Sequence, residues 1–250
     1  MNQNLIQYIF GVADNCLILG QRLGELCGHG PSLETDIALT NISLDLLGQT
    51  RSYYQYVAKL QGGVASEDTV AFLRLEREYK NVLLVEQPNT DFGYSIARQF
   101  LFDVFHLALL TELQNSKDDM LKAIANKSIK EVSYHVRFSS DWIKRLGDGT
   151  EESHQKIQTA INDLWIFTDE LFHQTDADKE MVKQGIGIDV TLLKEDYNKK
   201  INSILEEATL EIPQVEYFQK GGKLGIHSEH MGYLLSDLQY MQRTYPNMTW

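Results

Sequence analysis

The sequence predicts an all-α fold, a bundle of long helices followed by shorter ones toward its C-terminal end. Three observations carry that expectation. Apolar residues recur at helical spacing along most of the chain, and the period-2 alternation of a half-buried strand is nearly absent. Only 4 prolines and 17 glycines occur, spaced as punctuation between periodic segments. Ser, Thr or Asp stands where most of those segments begin, in position to accept from the first free N–H groups of a helix.

A first helix is expected from about Leu5 to Leu26, stopped by Gly28, Gly30 and Pro31. Ser32 caps a second from about Leu33 to Leu60, which ends at Gly62-Gly63. Ser66-Glu67-Asp68 opens a short third, and Pro88-Asn89 interrupts the chain after it. A fourth spans about Phe92 to Leu113. Ser116, Asp118 and Asp119 start a fifth that stops at Gly147, and Thr150 with Glu151 and Glu152 starts a sixth lasting to about His173. Shorter helices follow over about Asp176–Gln184 and Val190–Ala208. An irregular stretch, Pro213 to His227, precedes a last helix that begins at Ser228-Glu229 and stops before Pro246. No linker is Pro- or Ser-rich and no segment is low-complexity, so residues 1–250 are expected to form a single domain.

Composition removes several function classes. With 43% hydrophobic and 23% charged residues the chain matches a globular protein and excludes a disordered or fibrous one. The formal charge of −12 repels phosphate backbones, so nucleic acid is not an expected partner. Cys16 and Cys27 form no disulfide framework and fit a reducing cytosol; both are expected as small core residues. The stretch Met1 to Leu5 lacks the basic region and apolar run of a signal peptide. No uninterrupted apolar run reaches the ~20 residues of a membrane span, since Phe100–Leu110, the richest, contains Asp103 and His106. A cytoplasmic protein is expected.

The fifth helix shows how the bundle is packed. At about 100° per residue, Leu121, Ala125, Val132, Val136, Ile143 and Leu146 share one stripe. Ile124, Glu131, His135, Phe138 and Trp142 fill the adjoining arc, so the apolar surface is too wide for one neighbour and places Glu131 and His135 at least partly inside. The fourth helix is apolar almost all round, with Asp103 and His106 embedded in it. The broad apolar arcs of these two helices, with Tyr53 and Tyr56, are the expected material for a partner-binding face.

Acids and histidines on the inner arcs of long helices suggest a ferritin-like di-metal centre. Such a centre takes one Glu from each of two helices and Glu-x-x-His from each of the other two. The second helix has Asp45-Leu46-Leu47-Gly48, with glycine where the histidine belongs. The fifth has Glu131-Val132-Ser133-Tyr134, with His135 one residue late. Asp103-Val104-Phe105-His106 has the spacing, but on the helix that should supply a lone carboxylate, and the first helix offers only Asp14 or Glu25. Asp45, Asp103, His106, Glu131 and His135 are therefore read as a degenerate site turned into a hydrogen-bonded polar core. Removing Glu131 is expected to strand a buried partner, and removing Glu67 to cost little. The competing reading is a free-standing di-metal carboxylate oxidoreductase using Asp103, His106, Glu131 and His135.

Three further features read as structural. His227-Ser228-Glu229-His230 resembles a ligand cluster, yet consecutive residues at a helix start diverge and the helix N-terminus repels a cation, so a capping role is expected. Lys220-Gly221-Gly222-Lys223-Leu224-Gly225 matches no nucleotide fingerprint and is read as a tight loop, with an anion site as the alternative. Tyr53, Tyr54 and Tyr56 are read as core and interface.

Several longer stretches are distinctive. They are Asp14-Asn15-Cys16 through Gly28-His29, Leu44 through Arg51, Val85-Glu86-Gln87-Pro88-Asn89-Thr90-Asp91-Phe92, Ile96-Ala97-Arg98-Gln99 and Gly221 through Gly232, with Trp250 at the end. Together, and in this order, they make the chain resemble the PaaC family, the C subunits of bacterial phenylacetyl-CoA epoxidases. The resemblance runs essentially end to end. It implies a ferritin-like fold and a role in aerobic phenylacetate catabolism. In that family the A subunit holds the di-iron centre, binds the CoA thioester and epoxidises the ring. A reductase subunit with FAD and an iron-sulfur cluster supplies electrons from NADPH. The C subunit is implied to be a degenerate paralogue of A, structural and non-catalytic, paired with A and with the other subunits. No catalytic, cofactor-binding or metal residue is carried over to this chain.

Overall fold

The structure, a computed structural model, describes residues 2–246 and 248; Met1 and Trp250 lie outside the described residues. Among the described residues there are α-helices and short 3-10 turns and no strand. Four long helices form the body: α1 (Asn2–Gly24), α2 (Leu33–Gln61), α4 (Phe92–Leu113) and α5 (Asp119–Gly147), with α3 (Glu67–Phe72) between the pairs. α1 packs along α2 and α4 along α5, each pair joined by a short loop, and α2 lies against α5. One long crossover, residues 62–91, links the pairs, which is the connectivity of ferritin-like bundles. Then come α6 (Glu151–Trp165), α7 (Asp176–Gln184), α8 (Lys194–Glu207) and α9 (Glu229–Thr244).

Local chemistry sets the helix ends. Ser32, Ser66, Asp91, Asp118, Thr150 and Thr175 each accept a backbone N–H of the first turn they cap. Gly185 ends α7 in the left-handed conformation, φ 72°, which a side chain would strain. Two expected helices are shorter. α6 stops at Trp165, where the Thr168 hydroxyl donates to the Trp165 carbonyl, and the chain continues as a 3-10 turn over Thr168–Phe172. The segment from Val190 also opens as a 3-10 turn, because Asp189 accepts from Thr191 N before α8 begins at Lys194.

α5 buries the stripe expected of it, against α4, α2, α6 and α8. α4 is covered on nearly every side by α5, α6, α8 and the crossover. The apolar arc expected there as a partner face is therefore mostly core. Tyr53 and Tyr54 are buried as well, and the half-buried Tyr56 donates its hydroxyl to Asp118 at 2.6 Å. None of the three tyrosines offers a docking surface. Cys27 is exposed in the turn after α1, contrary to the core position expected, whereas Cys16 is fully buried. No helix among the described residues is long and apolar enough to cross a membrane.

The crossover explains the polar residues of α1. Asp14 Oδ2 accepts from Lys80 N at 2.7 Å and Asn15 Oδ1 from Val82 N at 2.8 Å. Arg22 donates to the Glu86 carbonyl through Nε at 3.0 Å and Nη2 at 2.7 Å. A strap without regular structure must have its backbone groups paired when it is buried. α1 supplies that pairing from its outer face. Asp14 and Glu25, the acids α1 might have offered to a metal, are both engaged here, with Glu25 ion-paired to Arg22 at 3.0 Å.

Candidate functional site: the polar centre of the bundle

The four long helices enclose a line of polar side chains where a ferritin-like protein would hold its metals. α1 contributes Cys16, α2 Asp45 and Gln49, α4 Gln99, Asp103 and His106, and α5 Glu131, His135 and Ser139. His135 Nε2 lies 2.9 Å from Asp45 Oδ2, which ties α5 to α2. Asp103 accepts from Gln99 Nε2 at 2.6 Å and, across to α5, from Ser139 Oγ at 2.9 Å. Cys16 Sγ is 3.9 Å from Gln49 Oε1 and 3.8 Å from His106 Nε2, and Gln49 Nε2 reaches Glu131 at 3.4 Å.

Electrostatics follow from burial. The Asp103 carboxyl, fully enclosed, is pushed up to about 7 by desolvation, against the pull of His135 and its two hydrogen bonds. His106, equally enclosed, is pushed down to about 3 by burial and then by His135, so it stays neutral. The Cys16 thiol is raised far above its ordinary value by burial, and Asp14 adds to that. Glu131 is raised as well, by partial burial first and the neighbouring Asp45 second.

These groups do not fit a di-iron centre. Each carboxylate is engaged by a different protein partner, and α1 brings a thiol rather than a carboxylate. Among the described residues, no three His, Cys, Asp or Glu side chains converge as a metal would need. The positions named in the sequence are thus brought together in part. Asp45 meets His135 directly, Asp103 reaches α5 through Ser139, and His106 turns to Cys16. Gly48 and Tyr134, sitting in the degenerate motif positions, both face outward. The next polar residue turned inward after Asp45 is Gln49 and after Glu131 it is His135, each at i+4. Sequence spacing alone missed Cys16, Gln49, Gln99 and Ser139. The one signal for Gln49, Gln99 and Ser139 was a position one or two turns from an acid on the inner arc, and Cys16 had none of that kind.

Glu131 is a correction in degree. It is only half-buried and its one hydrogen bond is long, so Glu131→Ala is expected to cost less than about 1 kcal/mol in a urea melt, the range of an exposed polar contact. A loss near 3 kcal/mol would restore it to the core.

Two other candidates prove to be built around internal carboxylates. Glu86, fully buried, accepts from His227 Nδ1 at 2.5 Å and from Ser228 N and Oγ at 2.8 and 2.7 Å. His227 also approaches the Tyr79 carbonyl through Nε2 at 3.1 Å; burial lowers its basicity, yet the Glu86 contact leaves it raised overall. Ser228 does not cap α9 with its own oxygen as expected; the carboxylate of Glu86 takes that end. In the glycine loop, Glu170 accepts from Gly221 N at 2.8 Å and, across to the crossover, from Leu83 N at 2.7 Å. Lys223 is held by the His173 carbonyl at 2.6 Å, and Lys220 by Asp169 at 2.7 Å. The amides that might cradle a phosphate are occupied by the protein's own anion. A Cβ on Gly222 would lie 2.2 Å from the Asn81 carbonyl oxygen, so the close approach of two backbones requires glycine.

The whole chain, residues 1–250, matches the family described as Phenylacetic acid catabolic protein. It is 50% identical over 250 residues to the C subunit of the 1,2-phenylacetyl-CoA epoxidase of Escherichia coli (strain K12), with 100% of each chain covered.

Proposed function

The chain belongs to the phenylacetic acid catabolic protein family, and from that premise we propose that it is a C-type, non-catalytic subunit of a phenylacetyl-CoA epoxidase in aerobic phenylacetate catabolism. Full-length identity of 50% to an epoxidase C subunit supports the assignment to that complex. The single observation that supports a structural role is the donor set of the polar centre. A thiol where the first helix should bring a carboxylate, and three acids each engaged by a separate protein partner, do not make a di-iron site. The chain pairs with the di-iron A subunit and steadies it. The iron belongs to A, and FAD and the iron-sulfur cluster to the reductase subunit. The CoA thioester is held mainly by A, and the assembly works in the cytoplasm.

The experiment is reconstitution. Epoxidation of phenylacetyl-CoA by A and reductase is measured with and without this chain, alongside elemental analysis of the chain purified from iron-supplemented medium. Activity is expected to need all three components, and the chain to carry far less than one iron. Full activity of A without it, or two irons bound per chain, would overturn the proposal and favour the free-standing oxidoreductase.

A further inference from the structure

The outer face of α2 is unlike an ordinary solvent-facing stripe. Ile37, Asn41, Leu44 and Gly48 follow one another along it, all exposed, with no charge among them; Ile37 is 50% and Leu44 60% accessible. Such a face is normally charged. Gly48 is the odder member. It sits mid-helix, where glycine is a poor helix former, and a Cβ there would meet nothing within 4 Å. Nothing inside this chain requires a glycine at that point. A bare stretch of helix backbone on a surface admits close approach by another backbone.

A second observation comes from α5. Lys127, Lys130 and Arg137 are exposed on it, and among the described residues none of them forms a close ion pair; Lys127 acts at longer range on Glu131, and the Arg137 guanidinium lies 5.6 Å from the centre of the Tyr134 ring. On a chain of net charge −12, three exposed cations without a close ion pair on one helix stand out. The two stripes belong to one surface. His135 faces Asp45, and Glu131 faces Gln49, so the helices run antiparallel along this seam. Leu44 and Gly48 come one residue before Asp45 and Gln49, and Lys130 and Tyr134 one before Glu131 and His135. A step of one residue is a rotation of about 100°. For antiparallel neighbours these rotations carry both stripes to the same side of the seam.

We propose that this α2/α5 surface is where the chain docks its partner subunit, by receiving an apolar helix of that subunit over Leu44 and Gly48 with carboxylates of its flank set against Lys127, Lys130 and Arg137. The inference rests on the reading of the chain as a structural subunit and adds the surface and the chemistry of what covers it. Charge complementarity favours an acid-flanked partner over a second copy, whose own equivalent face carries the same cations.

Tagged full-length chain co-expressed with the A subunit provides the test, read as the A subunit retained through washes of rising salt, with thermal melting of each chain alone. Gly48→Leu is expected to melt at or above the wild-type temperature, since the site is open and leucine favours helix, yet to retain at least tenfold less A. The Lys130→Glu, Arg137→Glu double variant is expected to lose A at lower salt than wild type. Gly48→Leu retaining A as well as wild type would overturn the surface while leaving the functional reading intact. So would a wild-type homodimer, seen by sedimentation, that Gly48→Leu dissolves without loss of A. No retention of A by the wild-type chain would overturn the functional reading itself.

Discussion

Replacing Arg74 by alanine is expected to destabilise the chain by about 3–5 kcal/mol in urea melts at pH 7, the range found when one partner of a buried ion pair is removed. Asp14 is fully buried on α1, and Arg74 meets it with Nη1 at 2.9 Å and Nη2 at 2.7 Å. The rest of the fork is occupied too. Nε donates to the Val70 carbonyl at 2.7 Å, Nη1 to the Glu78 carbonyl at 3.1 Å and Nη2 to the Tyr54 hydroxyl at 2.6 Å. The guanidinium also lies 4.1 Å from the ring centres of both Phe10 and Tyr79. Burial opposes its charge, but Asp14 and Tyr54 outweigh that and hold it above the ordinary arginine value. Alanine would leave the buried Asp14 charge without its counter-ion, with only Lys80 N and the Tyr54 hydroxyl still donating to it, and leave the Val70 and Glu78 carbonyls without the donors Arg74 supplies. Arg74→Lys should recover part of the loss, since a lysine keeps the charge and not the fork. Arg51→Ala is the control. Its pair with Glu67 lies at the surface, where such a contact is worth at most about 1 kcal/mol. Equal losses for Arg74→Ala and Arg51→Ala would show that the crossover is not held as described.

Asp14 and Arg74 show where reading the sequence runs out. Caps and helices could be read locally: Ser32, Ser66 and Thr150 act within three residues of themselves, and each does what its type predicts. The partners of a buried acid depend on which segments the fold brings together, and 60 residues separate these two. Asp14 was therefore legible as an inner acid but not as the anchor of the crossover. Glu170 was not legible at all, because nothing near it marks the glycine loop 51 residues further on as its partner. Those glycines signalled a tight loop, and the structure adds a close approach of its backbone to Asn81. The polar centre was half legible for a similar reason. Acids and histidines announce themselves by type, whereas Gln49, Gln99 and Ser139 look like any other polar residue until the acid they serve is seen beside them.

Asp103→Asn is expected to gain stability relative to wild type as pH rises from about 4 to about 7. In the folded chain the Asp103 carboxyl keeps its proton up to about 7, while in the unfolded chain it releases it near its ordinary 3.8. Between those limits the folded state binds the extra proton, so this residue lowers stability with each unit of rising pH, by about 1.4 kcal/mol per unit. Asparagine removes that slope and fits the site. It can accept from Ser139 as the acid does, and the Gln99 carbonyl oxygen, which has no partner, becomes the acceptor for its amide once the Gln99 side chain turns over. Wild type hides the effect, because His106 has the opposite sign. Its folded value is lowered to about 3 from 6.5, so it costs stability as pH falls below 6.5. The two slopes cancel over most of pH 4 to 6.5. The variant should therefore expose the histidine's slope alone, losing stability toward acid more steeply than wild type, while His106→Gln should expose the acid's. Urea melts of the three proteins at half-unit steps of pH make the comparison, with the difference from wild type removing titrations elsewhere, His227 included. Parallel stability curves for Asp103→Asn and wild type would mean that Asp103 is already ionised in the folded chain, and the description of this centre as a neutral, hydrogen-bonded core would fail at its central residue.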